Sequence, residues 1–196
     1  MKIANLVAPL MLGVIALSSA NCMTIRPQVV DKKTQLEKQI LGSFDKLESE
    51  LVLASSVRSK GAPGKELAPA QREALIAVMN RQFRKDDVVD MLSAKQACET
   101  LQGVLKLEEN DAVRANAGLK EQLKKMIVEE NKDREVILKR VVDLNPGLSE
   151  SDLPAIRKMF YERNAGECLP GMKIEVEGQG CIDKPDPTIE ANVEEE

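Results

Sequence analysis

The fold that we predict for this chain is built around LKEQLKKMIVEENKDREVILKRVVDLNPG, residues 119–147. Apolar residues recur in it every three or four positions, which is the spacing of a helix with one buried face. They are Leu119, Leu123, Met126, Ile127, Ile137, Leu138 and Val141. Asn110 is a suitable N-cap, and the Pro and Gly of the closing NPG cannot continue a helix. We therefore predict a long helix over about residues 111–143, against which other elements pack.

The middle of this helix is polar where its apolar face should continue. At the helical spacing of the apolar residues, the positions in the middle of the helix are occupied by Asn131 and Arg134. Glu130 precedes Arg134 by four residues, which is the spacing of a favourable helical ion pair. A charge inside the fold needs a partner, because an unpaired buried charge is very costly. We interpret these three residues as a structural polar cluster, with a polar recognition site as the alternative. Glu129 and Glu130 are a poor acid/base pair, because adjacent helical side chains diverge by about 100°.

Two amphipathic helices are predicted before this one. The first covers residues 31–53 and buries Leu36, Ile40, Phe44, Leu47 and Leu51. Two Gly and two Pro then predict an exposed loop over residues 55–69. The second helix covers residues 70–84, with Leu75, Ile76, Met79 and Phe83 facing inward.

Two shorter helices complete the predicted bundle. Asp86 or Asp87 can cap a third helix, which Cys98 closes as a buried thiol. After the long helix, a final helix begins with Ser151 as its cap and Pro154 in its first turn, and it ends around residues 164–166.

The last ordered segment is predicted to be a β-hairpin within residues 170–184. Met172, Ile174 and Val176 alternate with charged residues, and GQG at residues 178–180 turns the chain. Residues 185–196 are acidic and have no apolar period, so we predict a disordered tail. The predicted fold is therefore mainly α, a small bundle of about five helices with a short C-terminal β-hairpin.

Composition argues against several classes of function. The net charge is −4, and the chain has no Trp and no His. Nucleic-acid surfaces need basic stripes and aromatic platforms, so we predict no nucleic-acid partner. The missing His removes the commonest general base and the commonest metal ligand. We therefore expect no catalytic residues, no metal and no cofactor.

The amino terminus predicts export. Residues 3–17 form an apolar run that Asn5 and Pro9 interrupt, as in a secretory signal peptide over residues 1–21. In SSANC, Ser18 and Ala20 permit cleavage before Asn21, which would leave Cys22 as a plain thiol. The alternative is a relaxed bacterial lipobox, in which Cys22 is the first mature residue and carries acyl chains.

The chain resembles the YdbL-like family of bacterial envelope proteins of unknown function. The likeness is carried by Glu130, Asn131, Arg134, Asn145, Leu148, Ser149, Leu153, Pro170, Gly171, Gly178 or Gly180, and Lys184. It is clearest over residues 129–184, and the region after Cys22 is similar to the lipoprotein-type members. The resemblance implies a small helical periplasmic protein, often associated with intermembrane lipid transport, without established catalytic residues. It favours lipidation of Cys22 and a tether over residues 22–30.

Two departures from that family predict a disulfide. The resemblance implies aromatic residues in the hairpin, where this chain has Lys173 and Cys181, and a small residue where it has Cys168. A Cys168–Cys181 bond would replace the missing aromatic packing, and an oxidising periplasm permits it.

Together these patterns predict a helical periplasmic domain over residues 31–184, tethered at Cys22 to a membrane, the outer one in preference to the inner. The expected function is non-enzymatic: a binding, chaperone or adaptor module for another envelope protein. An enzyme acting on cell-wall or lipid substrates through Glu129, Glu130 or Arg134, and a carrier of small lipids, are the alternatives.

Overall fold

A computed structural model describes the backbone of residues 32–58 and 67–187, and the side chains of residues 35–50 and 67–187. Several predictions lie outside these described residues. They are the signal peptide at residues 1–21, the tether at residues 22–30 with Cys22, residues 59–66 of the loop, and residues 188–196 of the tail.

The described part of the chain is mainly α-helical, as predicted, and also forms a small sheet. Its helices are α1 (Lys32–Arg58), α2 (Pro69–Phe83), α3 (Lys85–Ser93), α4 (Asp111–Ala115), α5 (Ala117–Leu144) and α6 (Leu153–Glu167). Its strands are β1 (Ala97–Glu99), β2 (Leu105–Leu107), β3 (Lys173–Val176) and β4 (Gly180–Asp183). None of the described helices is both long and apolar enough to cross a membrane.

The helix α5 passes through two apolar cores. Its C-terminal half, with Ile137, Leu138 and Val141, packs with α1, α2 and α6 in a helical bundle. Its N-terminal half, with Leu123 and Ile127, packs with the sheet, α3, α4 and the end of α6. The polar residues in the middle of α5 therefore lie where one core gives way to the other.

The sheet has the strand order β2-β1-β3-β4. The predicted hairpin is confirmed as the antiparallel pair β3–β4, and Gly178 and Gly180 have positive φ angles of 77° and 73° in its turn. β1 is parallel to β3, with Cys98 opposite Lys173, and antiparallel to β2. Because β1 and β2 have three residues each, neither is long enough to show a clear alternation in the sequence.

Several predicted boundaries are corrected. The long helix is two helices, because Asn116 ends α4 and its side chain then accepts a hydrogen bond of 3.0 Å from the Leu119 amide to cap α5. The third helix ends at Ser93, so Cys98 lies in β1 and does not close a helix. α1 continues to Arg58, so residues 55–58 of the predicted loop are helical.

The start of the last helix also differs from the prediction. Ser149 and Asp152 form a capping box around a short 3-10 helix, Glu150–Asp152, and α6 begins directly after it. Pro154 lies in the first turn of α6, as predicted.

The orientation of α2 is the largest departure from the predicted packing. Leu75 is buried as predicted, together with Ala74, Ala77 and Val78. Three residues predicted to face inward are exposed: Ile76 by 47%, Met79 by 49% and Phe83 by 87%. The small side chains on the other face allow α2 to approach α1 and α5 closely, so the larger side chains remain outside.

Candidate functional site

The centre of the candidate site is Arg134 of α5, whose side chain is almost completely buried. Its Nη1 donates to Glu99 Oε1 at 2.5 Å and its Nη2 donates to Glu99 Oε2 at 3.1 Å. Its Nε donates to Glu130 Oε1 at 2.8 Å, and Nη1 also reaches the Gly103 carbonyl at 3.3 Å. Arg134 therefore connects its own helix, β1 and the loop after β1, and the predicted Glu130–Arg134 pair is present.

Glu130 joins this pair to two arginines from the end of α2. Arg81 Nε donates to Glu130 Oε1 at 2.8 Å, and Arg84 Nη2 donates to Glu130 Oε2 at 3.2 Å. Arg84 Nη2 also donates to Asp133. We call the set Arg81, Arg84, Glu99, Glu130, Asp133 and Arg134 the polar network. It contains three guanidinium groups and three carboxylates, so its formal charges balance.

Glu130 and Arg134 are held in their ionised forms by their partners in the polar network. Burial alone would raise the pKa of Glu130, but the guanidinium groups of Arg81 and Arg134 hold that pKa below its ordinary value. Burial alone would lower the pKa of Arg134, but Glu99 and Glu130 raise it. A neutral acid able to donate a proton near pH 7 is therefore not formed at Glu130.

Asn131, the third residue of the predicted polar cluster, binds the sheet and is not a member of the polar network. Its Nδ2 donates to the Leu105 carbonyl at 2.8 Å, and its Oδ1 accepts from the Leu105 amide at 2.8 Å. Leu105 lies in β2, an edge strand of the sheet. Asn131 thus pairs with the edge strand in the way that a neighbouring strand would.

The proposed acid/base pair is not brought together. Glu130 is buried in the polar network, whereas the side chain of Glu129 is exposed, and only its backbone carbonyl receives Arg84 at 3.5 Å. The two carboxylates therefore do not face a common substrate position.

Four members of the polar network were missed by sequence reasoning: Arg81, Arg84, Glu99 and Asp133. A basic cluster at the end of α2 could have drawn attention to Arg81 and Arg84, but cations there are also favoured by the negative pole of the helix and need no partner. No local signal marks Glu99, because its burial depends on the pairing of β1 with two other strands.

Part of the polar network lines a cleft of about 550 Å³. Glu99, Glu130 and Arg134 contribute to its lining, together with Arg81 from α2. Its apolar lining comes from Val78, Val88, Val89, Leu92, Cys168 and Met172. The cleft therefore combines an apolar wall with a charged floor.

The predicted Cys168–Cys181 disulfide is wrong. Cys181 is bonded to Cys98, with an S–S distance of 2.03 Å and a Cα–Cα distance of 6.2 Å. The bond joins β1 and β4, which both pair with β3. The prediction failed because it treated Cys98 as the end of a helix, although the parallel β1–β3 pairing brings this residue to the hairpin.

Cys168 is a free, buried thiol that lines the cleft. Burial raises its pKa to about 11, and the nearby Glu99 acts in the same direction. A thiol with so high a pKa is a weak nucleophile near neutral pH. Cys98, Glu108 and Cys181 form a group of potential metal ligands, but both sulfurs are in the disulfide and only one carboxylate remains.

Residues that carry the family resemblance have structural contacts in this fold. Lys184 Nζ donates to the carbonyls of Ala165, Gly166 and Cys168 at 2.8, 3.0 and 2.6 Å, and so closes the C-terminus of α6. Asn145 Nδ2 donates to Ser43 Oγ at 2.9 Å, which ties the end of α5 to α1. Both contacts join separate elements of the fold and are structural.

Comparison of the chain with protein-family models, curated proteins and solved structures finds no match.

Proposed function

We propose that this protein is a non-enzymatic binding module of the bacterial cell envelope that docks an amphipathic helix of a partner protein on α2. The docking surface is the outer face of α2, which we define as Ile76, Met79 and Phe83. The observation that carries the proposal is the exposure of this face, with Phe83 exposed by 87%. Exposed apolar side chains that lie next to one another are typical of interaction surfaces.

The spacing of the outer face suits a helical partner. Ile76, Met79 and Phe83 stand at positions i, i+3 and i+7, which places them on one side of α2, opposite its buried residues. Helices that dock on another helix or in a groove use anchors at this spacing. Met and Phe supply a large and adaptable apolar contact area.

Beside the outer face, Lys132 favours an acidic residue on the partner. A groove of about 330 Å³ between α2 and α5 touches Ile76 and is bordered by charges of both signs: the cations Arg72 and Lys132 and the carboxylates Glu73 and Asp133. Lys132 is exposed and has no ion pair within the described part of the chain. Because Asp133 is already bound to Arg84, Lys132 is the cation of this groove that a carboxylate of the partner helix would meet.

The proposed location is the envelope, with a lipid on Cys22. The signal-like residues 1–21, the cysteine that follows them and the resemblance to YdbL-like envelope proteins support this location. The Cys98–Cys181 disulfide adds support, because such bonds persist in oxidising compartments. The mass of the mature amino terminus tests it: an acylated Cys22, lost in Cys22→Ala, is expected, and an unmodified protein starting at Asn21 would overturn the anchor.

The docking surface is tested by photocrosslinking in intact cells. A photoreactive residue at position 83 should capture one protein, and the same residue at position 122, an exposed site on α5, should not. The adduct should map to an amphipathic helix with acidic residues.

Variants make the crosslinking test decisive. With the photoreactive residue kept at position 83, Met79→Ser should abolish the adduct and Lys132→Glu should weaken it. Both residues are exposed, so neither change should alter the melting temperature. Capture of phospholipid only, of a second copy of this chain, or of the same proteins from positions 83 and 122 would contradict the proposal.

A further inference from the structure

Arg81 has hydrogen-bond donors that the fold does not use. Its Nε is bound to Glu130 at 2.8 Å, but its two terminal nitrogens have no acceptor among the described residues. Its guanidinium carbon lies 5.0 Å from the centre of the Phe160 ring, and a ring face provides no hydrogen-bond acceptor of the strength of a carboxylate. Arg81 lines the 550 Å³ cleft, and 24% of its side chain is exposed.

The guanidinium groups of Arg163 and Arg134, which also line the cleft, are more fully occupied. Arg163 is bound to Asp45 and Glu48 by its terminal nitrogens, and its Nε lies 3.9 Å from Glu167. Arg134 donates hydrogen bonds to Glu99, Glu130 and the Gly103 carbonyl. Arg81 is therefore the guanidinium best able to bind an incoming group, with Lys85, which is exposed and 4.0 Å from Glu167, as a second cation.

The carboxylates at the floor of the cleft do not exclude an anion. Glu130 receives hydrogen bonds from three arginines, and Glu99 receives a two-point contact from Arg134 and a bond of 3.3 Å from Asn164. Their charges are thus compensated before a ligand arrives. A guanidinium edge with two free N–H groups matches the paired oxygens of a carboxylate or a phosphate.

The wall of the same cleft is suited to an apolar chain. Val88, Val89 and Leu92 of α3 face it together with Met172. Its volume lies within the range of about 300–1,000 Å³ that is typical of small-molecule sites, which combine apolar walls with a few polar groups.

We infer that the cleft binds a small amphiphile that has one carboxylate or phosphate head group and an apolar tail. Arg81 binds the head group by its two terminal nitrogens. The tail lies along Val88, Val89 and Leu92. This site is separate from the docking surface on the outer face of α2, because the outer-face residues do not line the cleft.

Matched probes test this inference on the full chain carrying Cys22→Ala, which needs no detergent for an acyl group. Decanoate, decyl phosphate, decanol and decyltrimethylammonium share one tail, and butanoate has the carboxylate without the long tail. Titration followed by NMR should show saturable binding of decanoate and decyl phosphate at least tenfold tighter than binding of the other three. Shifts should concentrate on α3, Arg81 and Met172.

Two variants separate the head group from the tail. Arg81→Gln should weaken binding of decanoate at least tenfold and leave decanol unchanged. Val89→Asp, at a residue 37% exposed, should weaken both, and it provides a test if Arg81→Gln fails to fold. Arg114→Gln, in α4, is the control and should change neither.

Several results would overturn the inference. These are equal affinity for decanoate and decanol, an unchanged affinity ratio in Arg81→Gln, no effect of Val89→Asp, or shifts confined to the outer face of α2. Absence of saturable binding at millimolar decanoate and decyl phosphate would overturn it as well. If decyl phosphate alone binds, the head group is a phosphate, and if decanoate alone binds, it is a carboxylate.

Discussion

Arg134 and Glu99 form a two-point ion pair between α5 and β1, with N–O distances of 2.5 and 3.1 Å. Both side chains are at most 2% exposed, and both lie at the junction of the two apolar cores. The pair ties the long helix to the sheet, and because both side chains are almost fully buried, each charge depends on its partner for compensation.

Removing one member of this pair should strongly destabilise the fold. We expect Arg134→Met to lower the free energy of unfolding by about 3–5 kcal/mol, because Glu99 then keeps a buried charge without its main partner and Glu130 loses one of its three arginines. Denaturant unfolding measures the change. Arg114→Met, which removes an exposed pair with Asp111, should cost less than about 1 kcal/mol. A change in Arg134→Met as small as in this control would contradict the structural role.

The depressed pKa of Glu130 predicts a dependence of stability on acid. A carboxyl whose pKa is lower in the folded than in the unfolded state stabilises the fold above the unfolded pKa, and this stability is lost as pH falls through the folded value. The wild-type free energy of unfolding should therefore fall below about pH 4.3, the ordinary Glu pKa, and should fall less steeply in Glu130→Gln.

Glu109→Gln is the matched control for this acid dependence. The pKa of Glu109 is also lowered, by Lys120, but this carboxylate lies at the surface. Salt should therefore remove its contribution, whereas the contribution of Glu130 should persist at high salt. Identical pH profiles of Glu130→Gln and wild type would show that Glu130 is not paired as described.

Asn131 should protect the edge strand. Asn131→Ala leaves the amide and the carbonyl of Leu105 without their partner, at a cost of about 1–3 kcal/mol. Hydrogen exchange at the Leu105 amide should be faster, while the exposed Gln122→Ala on the same helix leaves it unchanged. Asn131→Asp should weaken the contact with Leu105 more near neutral pH than in acid, because the protonated carboxyl group can again donate a hydrogen bond to the Leu105 carbonyl. Unchanged exchange at Leu105 in Asn131→Ala would argue against the contact.

The Cys98–Cys181 bond closes a sequence separation of 83 residues, and the chain-entropy model gives about 4–5 kcal/mol for such a loop. Reduction or Cys181→Ser should lower the melting temperature, and Cys168→Ser should leave the effect of reduction in place. Peptide mapping without reduction identifies the linkage directly. A Cys168–Cys181 peptide in that map would overturn the assigned pairing.

Gly103 should tolerate no side chain. Its φ is +71°, and an added Cβ would lie 3.1 Å from the Arg157 carbonyl oxygen and 3.2 Å from Phe160 Cδ1. Gly171 has a similar φ of +85° but open space around it, so Gly171→Ala measures the backbone cost alone, about 1–2 kcal/mol. Gly103→Ala should be more destabilising than this in thermal unfolding. Equal effects of the two substitutions would mean that the close contact with α6 is absent.

The elements whose cause is local could be predicted from the amino-acid sequence. The apolar period predicted the helices, Pro146 and Gly147 predicted the end of α5, and the alternation around GQG predicted the β3–β4 hairpin. It also predicted that Glu130 and Arg134 pair, because residues four apart on a helix are neighbours whatever surrounds them.

The features that depend on residues distant in the sequence could not be predicted and are seen only in the folded chain. The strands β1 and β2 are too short to show a periodic pattern in the sequence. No local feature therefore predicted that their pairing would bring Cys98 to Cys181 and Glu99 to Arg134. The same holds for α2, which has small residues on one side and large apolar residues on another. The side that packs against α1 and α5 is the one with Ala74, Ala77 and Val78, since small side chains let helices pack closely. Ile76, Met79 and Phe83 on the opposite side therefore remain exposed.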